Sequence, residues 1–258
     1  MIGDLELAIA AARAGAAVVH SCYGSSLTHF AKGGGDFATA ADVDAEKAIL
    51  GVLRAARPDD LVLGEESGRS GDGGNGRTWL VDPLCGTLNY AVRNMLVSVN
   101  VALRDGVAVS VDPFADEVFW TDGTVAKVRR GGTDEPLVPS AASRLVDLNL
   151  DPPFPSAPGF RAARLLTADR FGELFRPRVV STTLAVAWVA AGRRAAYVTD
   201  GDLRDSVHFA AGIALCRAAG CVLSDIDGRP VHTGPRGLVV AADQETHAEL
   251  LDLIRVAG

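Results

Sequence analysis

A chain of 258 residues, 48% hydrophobic and 22% charged, has an ordinary globular balance and the length to bury one large core or two packed halves. Its net charge of −7 argues against a nucleic-acid partner, because a phosphate backbone demands clustered Lys and Arg; an acidic protein that binds small phosphates usually recruits a cation to do so. Cys22, Cys85, Cys216 and Cys221 show neither CxxC nor zinc-finger spacing, which reads as reduced thiols in a cytoplasmic protein and not as a disulfide framework.

Residues 4–23 repeat apolar side chains at helical spacing, with Asp4 and Glu6 where an export signal would be positive and Arg13 interrupting the run. The segment is expected to be an amphipathic helix; no membrane-spanning helix and no membrane partner are expected. "YGSSLTHFAKGGGDFAT" is Gly- and Ser-rich, a loop or hairpin in which Lys32 is placed to reach a phosphate. A second helix covers 42–57. "DLVLGEES" is a short buried strand delivering two acids at its end, and "TWLVDP" is another strand. Between them "GDGGNG" matches G-x-G-x-x-G but precedes a strand, so it fails the context of a dinucleotide site and reads as a mobile loop near the site. Residues 97–103 and 107–111 form a hairpin around "RDG", and "EVFW" is a further strand before the turn at 122–123.

The Pro- and Ser-rich stretch "VPSAASRLVDLNLDPPFPSAPG" suggests a connection between an N-terminal half (1–135) and a C-terminal half (136–258) of one compact unit. Beyond it, elements alternate. "RVVST", "AAYVTD", "CVLSD" and "GLVVAA" are strands; "TTLAVAWVAAG", "VHFAAGIALCRAAG" and "QETHAELLDLIRVA" are helices, the second ended by Gly220. This alternation favours a layered α/β fold. There is no internal repeat.

Three acidic segments carry the chemistry. Asp42 opens a helix, as an N-cap or as a ligand. Glu65 and Glu66 end one strand and Asp82 ends another. Strand-terminal acids drawn from separate segments are a way to hold Mg²⁺, which takes oxygen ligands. After Asp82, Gly86 and Thr87 open a helix whose N–H groups and dipole favour an anion. A Thr87 hydroxyl near Asp42 is placed to orient and deprotonate a water.

"DFATAADVDAEKAI", "LVLGEES", "WLVDPLCGTLNYA" and "VHFAAGIALCRAAGCVLSDIDGRP" follow in order, with "STTLAVAWVAAGR" as a weaker match. Together they resemble the successive signatures of the inositol monophosphatase family of metal-dependent phosphatases. The resemblance covers nearly the whole chain. It implies an αβαβα layered sandwich, an α+β half followed by an α/β half with the site between them, a small phosphorylated substrate (a sugar, inositol or nucleotide phosphate), Mg²⁺ and a homodimer. It assigns Glu65, Asp82 and the Leu84 carbonyl to a metal, Asp42 and Thr87 to water activation, and the backbone of Cys85, Gly86 and Thr87 to the phosphate. Ser181 and Thr182 fall where the family contacts the organic part of the substrate.

Two departures stand out. The family has a second Asp where this chain has Cys85, and an Asp before "xAAG" where this chain has His208. Both would belong to a second metal site. Three readings are open: a phosphatase with one metal, or with Asp205 recruited; a softer site of Glu65, Asp82, Cys85 and His208 that favours Zn²⁺ or Fe²⁺; or lost hydrolysis with no metal required, the pocket binding a ligand or using Cys85 or His208 as acid, base or nucleophile.

Overall fold

The computed structural model describes residues 2–26, 28–33, 36–150, 160–201, 203, 206–231 and 236–257. It is a mixed α/β protein whose contacts divide the chain into two compact units. One comprises Met1–Pro136, Thr182–Leu184 and Val207–Leu215; the other comprises Leu137–Ser181, Ala185–Ser206 and Cys216–Gly258.

In the first unit, α1 (Asp4–Cys22) buries a stripe of Leu7, Ala8, Ala11, Ala12, Ala16 and Val19, recurring at three- and four-residue spacing. Asp4 and Glu6 sit in its first turn, where the helix dipole favours negative charge. The stripe packs on α2 (Ala40–Ala56), and the approach is close: a Cβ on Gly15 would lie 2.7 Å from Ile49 Cδ1. By length and composition α1 also passes the test for a membrane-crossing helix, contrary to expectation, but its apolar residues are taken up by the core it shares with α2 and the sheet. The Gly-rich stretch before α2 is a hairpin of β1 (His29–Gly33) and β2 (Asp36–Thr39), so Lys32 lies in a strand and not in a loop.

The sheet of this unit runs β3 (Leu61–Gly64), β4 (Gly68–Ser70), β5 (Thr78–Cys85), β6 (Ser98–Leu103), β7 (Ala108–Asp112), β8 (Glu117–Thr121), β9 (Ala126–Arg130) and β10 (Thr133–Pro136), in the spatial order β10-β9-β8-β7-β6-β5-β3-β4. The β9–β10 hairpin is absent from the sequence reading. β10 is polar and mostly exposed, and β9 buries only Ala126 and Val128 among charged residues, so the apolar alternation is too short to mark the hairpin. β3 and β5 are the parallel pair, paired from Leu61–Thr78 to Gly64–Val81, and both deliver their C-terminal ends to the same place. Strand alternation divides the faces. Trp79 and Val81 join the α1–α2 core, whereas Leu80, Ala102 and Ala108 pack against Val207 and Ala211 of α6 (Val207–Ala219). A five-residue helix, α3 (Thr87–Ala91), follows β5.

The second unit contains a five-stranded sheet, β12-β11-β13-β15-β14. β11 (Leu145–Leu148) lies inside the stretch read as a connection, and β12 is Arg176–Val179, two residues before the expected start. β13 (Ala196–Thr199), β14 (Val222–Ser224) and β15 (Leu238–Ala241) complete it. A 3-10 turn (Ala162–Thr167), α4 (Asp169–Leu174) and α7 (Gln244–Ala257) bury Leu165, Phe171, Leu250 and Ile254 against Val146, Val198 and Val239. A further helix, α5, is Leu184–Ala190, of which Leu184 belongs to the first unit. Gly220 ends α6 at φ 86°, and Cys221 N–H reaches back to the Cys216 carbonyl at 2.9 Å, a left-handed cap that a side chain at 220 would strain.

Candidate functional site

The parallel pairing of β3 and β5 makes the site. Glu65 N–H bonds the Val81 carbonyl at 3.0 Å, so the acid that ends β3 stands beside Asp82 on β5. In a regular strand Asp82 and Cys85, three residues apart, would face opposite sides. β5 instead bulges: Asp82 pairs with Asn100 and Cys85 with Ser98, so two β5 residues oppose one on β6, with Pro83 in the bulge. Both side chains therefore turn toward His208 in the first turn of α6. One ligand atom from each of Asp82, Cys85 and His208 lies within 4.8 Å of the others.

His208 Nδ1 lies 2.9 Å from Asp82 Oδ2 and 4.0 Å from Glu65 Oε2. Burial disfavours the imidazolium, but the Asp82 charge and hydrogen bond outweigh it and raise His208 well above its ordinary range. Burial works against Asp82 too, yet His208 holds that carboxyl below the usual range. Burial and the neighbouring Asp82 push Glu65 up to about 8. The same two causes push the Cys85 thiol up to about 11. Its sulfur accepts the Thr183 N–H at 3.3 Å, and Thr183 Oγ1 is held by Asn100 Nδ2 at 2.9 Å.

Asp42 and Thr87, paired in the sequence reading, are in direct contact. Thr87 Oγ1 donates to Asp42 Oδ1 at 2.8 Å and lies 3.2 Å from the Leu84 carbonyl. Asp42 is not the N-cap of α2. Thr39 is, and Asp42 is the third helical residue of a capping box whose Oδ2 accepts from Thr39 N at 2.8 Å. Burial raises the Asp42 pKa despite the Thr39 and Thr87 donors and the Lys32 charge. Gly86 precedes α3 at φ 106°, a conformation that favours glycine.

Other expectations fare differently. Lys32 Nζ bridges Glu65 Oε1 at 2.8 Å and Glu66 Oε1 at 2.6 Å, so it meets carboxylates. Thr182 Oγ1 donates to the Cys85 carbonyl at 3.3 Å and accepts from Leu184 N at 3.2 Å. Ser181 belongs to the second unit, and Asp205 lies outside the described residues. The "GDGGNG" loop is at the opposite end of β5 from Cys85. It is pinned there by Asp60, which accepts from Asn75 at 2.7 Å, Arg77 at 3.0 Å and Trp79 Nε1 at 2.8 Å.

One residue escapes the sequence reading altogether. Glu46, four residues after Asp42 on the same buried face of α2, accepts the N–H groups of Glu66 and Ser67, each at 2.8 Å, and so sets the turn that presents Glu65. The available signal was that spacing together with Gly64, where a Cβ would lie 2.7 Å from the Glu46 carboxylate.

Glu65 Oε2 is buried without a hydrogen-bond partner, and the Leu84 carbonyl keeps a lone pair beyond the one facing Thr87. With Asp82 these oxygens fit one hard divalent cation. A second Mg²⁺ does not fit: where it would need carboxylates, positions 85 and 208 offer sulfur and imidazole.

Residues 4–257 match the model of the inositol monophosphatase family. The chain is 30% identical over 242 residues to an inositol-1-monophosphatase of Caulobacter vibrioides, covering 88% of this chain and 90% of that one. It is 33% identical over 245 residues to the Nus factor SuhB of Escherichia coli K12, covering 87% and 85%. Among solved structures, the extragenic suppressor protein SuhB of Bartonella henselae superposes with a TM-score of 0.83 at 25% identity, covering 97% of both chains. An inositol monophosphatase of Anabaena gives 0.75 at 26%, covering 98% of this chain and 95% of that one.

Proposed function

The chain belongs to the inositol monophosphatase family, and from that premise we propose that it is a phosphomonoesterase acting on a small sugar, inositol or nucleotide phosphate through a cation site altered from the family pattern. The observation that carries this reading is the Asp42–Thr87 pair, 2.8 Å apart, next to the turn of Cys85, Gly86 and Thr87. By giving its proton to Asp42, the Thr87 hydroxyl keeps its oxygen lone pairs for an attacking water. Asp42, buried and raised in pKa, receives the proton that the water loses. The backbone of Cys85, Gly86 and Thr87 receives the phosphate. Glu65, Asp82 and the Leu84 carbonyl would hold one Mg²⁺, which when bound neutralises charge on the phosphoryl oxygens. His208, kept protonated by Asp82, brings a positive charge to the side where the family's second carboxylate stood.

The same reading makes the protein a cytoplasmic homodimer with no membrane partner. Free thiols at all four cysteines and relatives from bacteria support the first part; the dimer is carried over from the family resemblance.

A second reading, a non-hydrolytic or purely binding member that uses the pocket around Cys85 and His208, is favoured by one observation: the imidazole of His208 already engages Asp82 Oδ2. The test is phosphate release from a panel of sugar, inositol and nucleotide phosphates, with and without Mg²⁺. Wild type is assayed beside the Cys85→Asp/His208→Asp double variant. Mg²⁺-dependent turnover by wild type is the expected result. Turnover confined to the double variant would transfer the protein to the second reading.

A further inference from the structure

We propose that Asp82, Cys85 and His208 form a binding site for a thiophilic divalent ion, Zn²⁺ in the first instance, in place of a second Mg²⁺. Four observations converge. The three donors are a carboxylate, a thiol and an imidazole, a set that suits zinc and does not suit magnesium. Their ligand atoms lie within 4.8 Å of one another, while those around a four-coordinate zinc stand about 3.3–3.8 Å apart, so small side-chain rotations close the site. Glu65 Oε2 beside them is buried, without a hydrogen-bond partner and 4.0 Å from His208 Nδ1, an unsatisfied oxygen that marks this corner as a cation environment, and the fourth zinc position is left to water.

Cys85 also has the support that a metal thiolate needs. Thr183 N–H points at its sulfur, and the Asn100 amide fixes Thr183 from behind. The donor to the sulfur is a backbone N–H, and the bulge in β5 is what aims the sulfur toward His208. On binding, the ion displaces the thiol proton of Cys85 and the proton shared between His208 and Asp82, both of which pass to solvent.

The proposal refines the cation site of the phosphatase reading but stands without hydrolysis, so the two are tested apart. Protein stripped with a chelator is titrated with Co²⁺ as a coloured stand-in for Zn²⁺. The expected spectrum has a thiolate-to-cobalt band in the near ultraviolet and intense visible bands of a four-coordinate ion. It should saturate at one ion per chain and be abolished by Zn²⁺ but not by Mg²⁺. Cys85→Ser, checked for folding by circular dichroism, should lose the near-ultraviolet band.

A weak six-coordinate spectrum unchanged by Cys85→Ser, or no binding by folded protein, would overturn the proposal. Should Cys85→Ser not fold, maleimide labelling of wild type, read at the Cys85 peptide by mass spectrometry, replaces it. Zn²⁺ should slow labelling at least tenfold, and equal rates with and without Zn²⁺ would overturn the site. Mg²⁺-dependent phosphate release by protein lacking the cobalt–thiolate band would leave the phosphatase reading standing and remove this one. The band without any phosphate release would do the reverse.

Discussion

His208 Nδ1 and Asp82 Oδ2 meet at 2.9 Å, and this contact ties the first turn of α6 to the end of β5. Asp82 is fully buried, so the imidazolium is its counter-charge. His208→Ala should therefore leave an unpaired buried carboxylate and destabilise the protein by about 3 kcal/mol in the presence of chelator. A divalent cation that reaches Asp82 and Glu65 can take over the neutralising part. Thermal unfolding should show the deficit shrinking when Mg²⁺ or Zn²⁺ is added. A deficit of the same size with and without ions would mean that His208 acts by packing and not by charge.

Asp42 performs two tasks with its two oxygens: Oδ2 closes the capping box with Thr39, and Oδ1 receives the Thr87 hydroxyl. Asp42→Asn should cost about 1 kcal/mol of stability through the cap and also abolish turnover. Thr87→Ala should reduce turnover by roughly a hundredfold or more while leaving α2 and its cap intact. Comparing melting temperature with kcat for the two variants separates the tasks. Unchanged turnover in Thr87→Ala would remove Thr87 from the water-activating role.

The layered α/β fold is legible in the sequence, and so are the segments that meet at the candidate site. Glu65 and Asp82 are legible as acids at strand ends, Asp82 being followed by Gly86 and Thr87, and Asp42 as an acid that opens a helix. Their convergence follows from β3 and β5 being parallel. The bulge between Asp82 and Cys85 was not readable, since a period-two pattern has no symbol for an extra residue. Glu46 was passed over because an acid on an otherwise apolar helix face looks like its solvated edge until the turn it clamps is known. β9 and β10 were missed for the opposite reason. Only Ala126 and Val128 are apolar and buried there, and the charged residues around them, paired as Arg129–Asp134 and Arg130–Glu117, leave too short a hydrophobic periodicity.

Lys32 shields the two acids that end β3. Although burial works against it, Glu65 and Glu66 hold its ammonium above its ordinary range, so it remains charged wherever the protein is folded. An incoming divalent cation must compete with it for Glu65. Lys32→Met should then tighten cation binding by roughly tenfold, the factor corresponding to about 1.4 kcal/mol, as measured by calorimetric titration. Weaker binding in Lys32→Met would show instead that the lysine organises Glu65 for the ion.

The turn at Glu65 has its own support, and Gly64 is its weak point. With Glu46 filling the space above it, an added methyl meets the carboxylate at 2.7 Å. Gly64→Ala should push Glu46 away from the N–H groups of Glu66 and Ser67, costing about 2 kcal/mol and lowering cation affinity. Glu46→Gln, which keeps one acceptor oxygen, should be milder on both counts. A Gly64→Ala protein with wild-type affinity would show that Glu65 is positioned by its strand alone.

Asp60 governs the response to acid at the other end of β5. Burial would raise its pKa, but donors from Trp79, Asn75 and Arg77 together with the Arg77 charge outweigh burial and hold it below the usual carboxylate range. A carboxyl whose folded pKa is depressed binds fewer protons folded than unfolded. Its stabilisation is therefore complete above the unfolded value of about 4 and is lost as the pH falls through the depressed folded value. Asp60→Asn should be less stable than wild type by about 2 kcal/mol at neutral pH, since the Trp79 indole and Arg77 lose a charged acceptor. That gap should close progressively below about pH 4, because the wild-type carboxyl is then itself protonated. Denaturant titrations of both proteins between neutral and strongly acidic pH measure it. A gap that stayed constant into acid would mean that the Asp60 carboxylate contributes through its shape and not its charge.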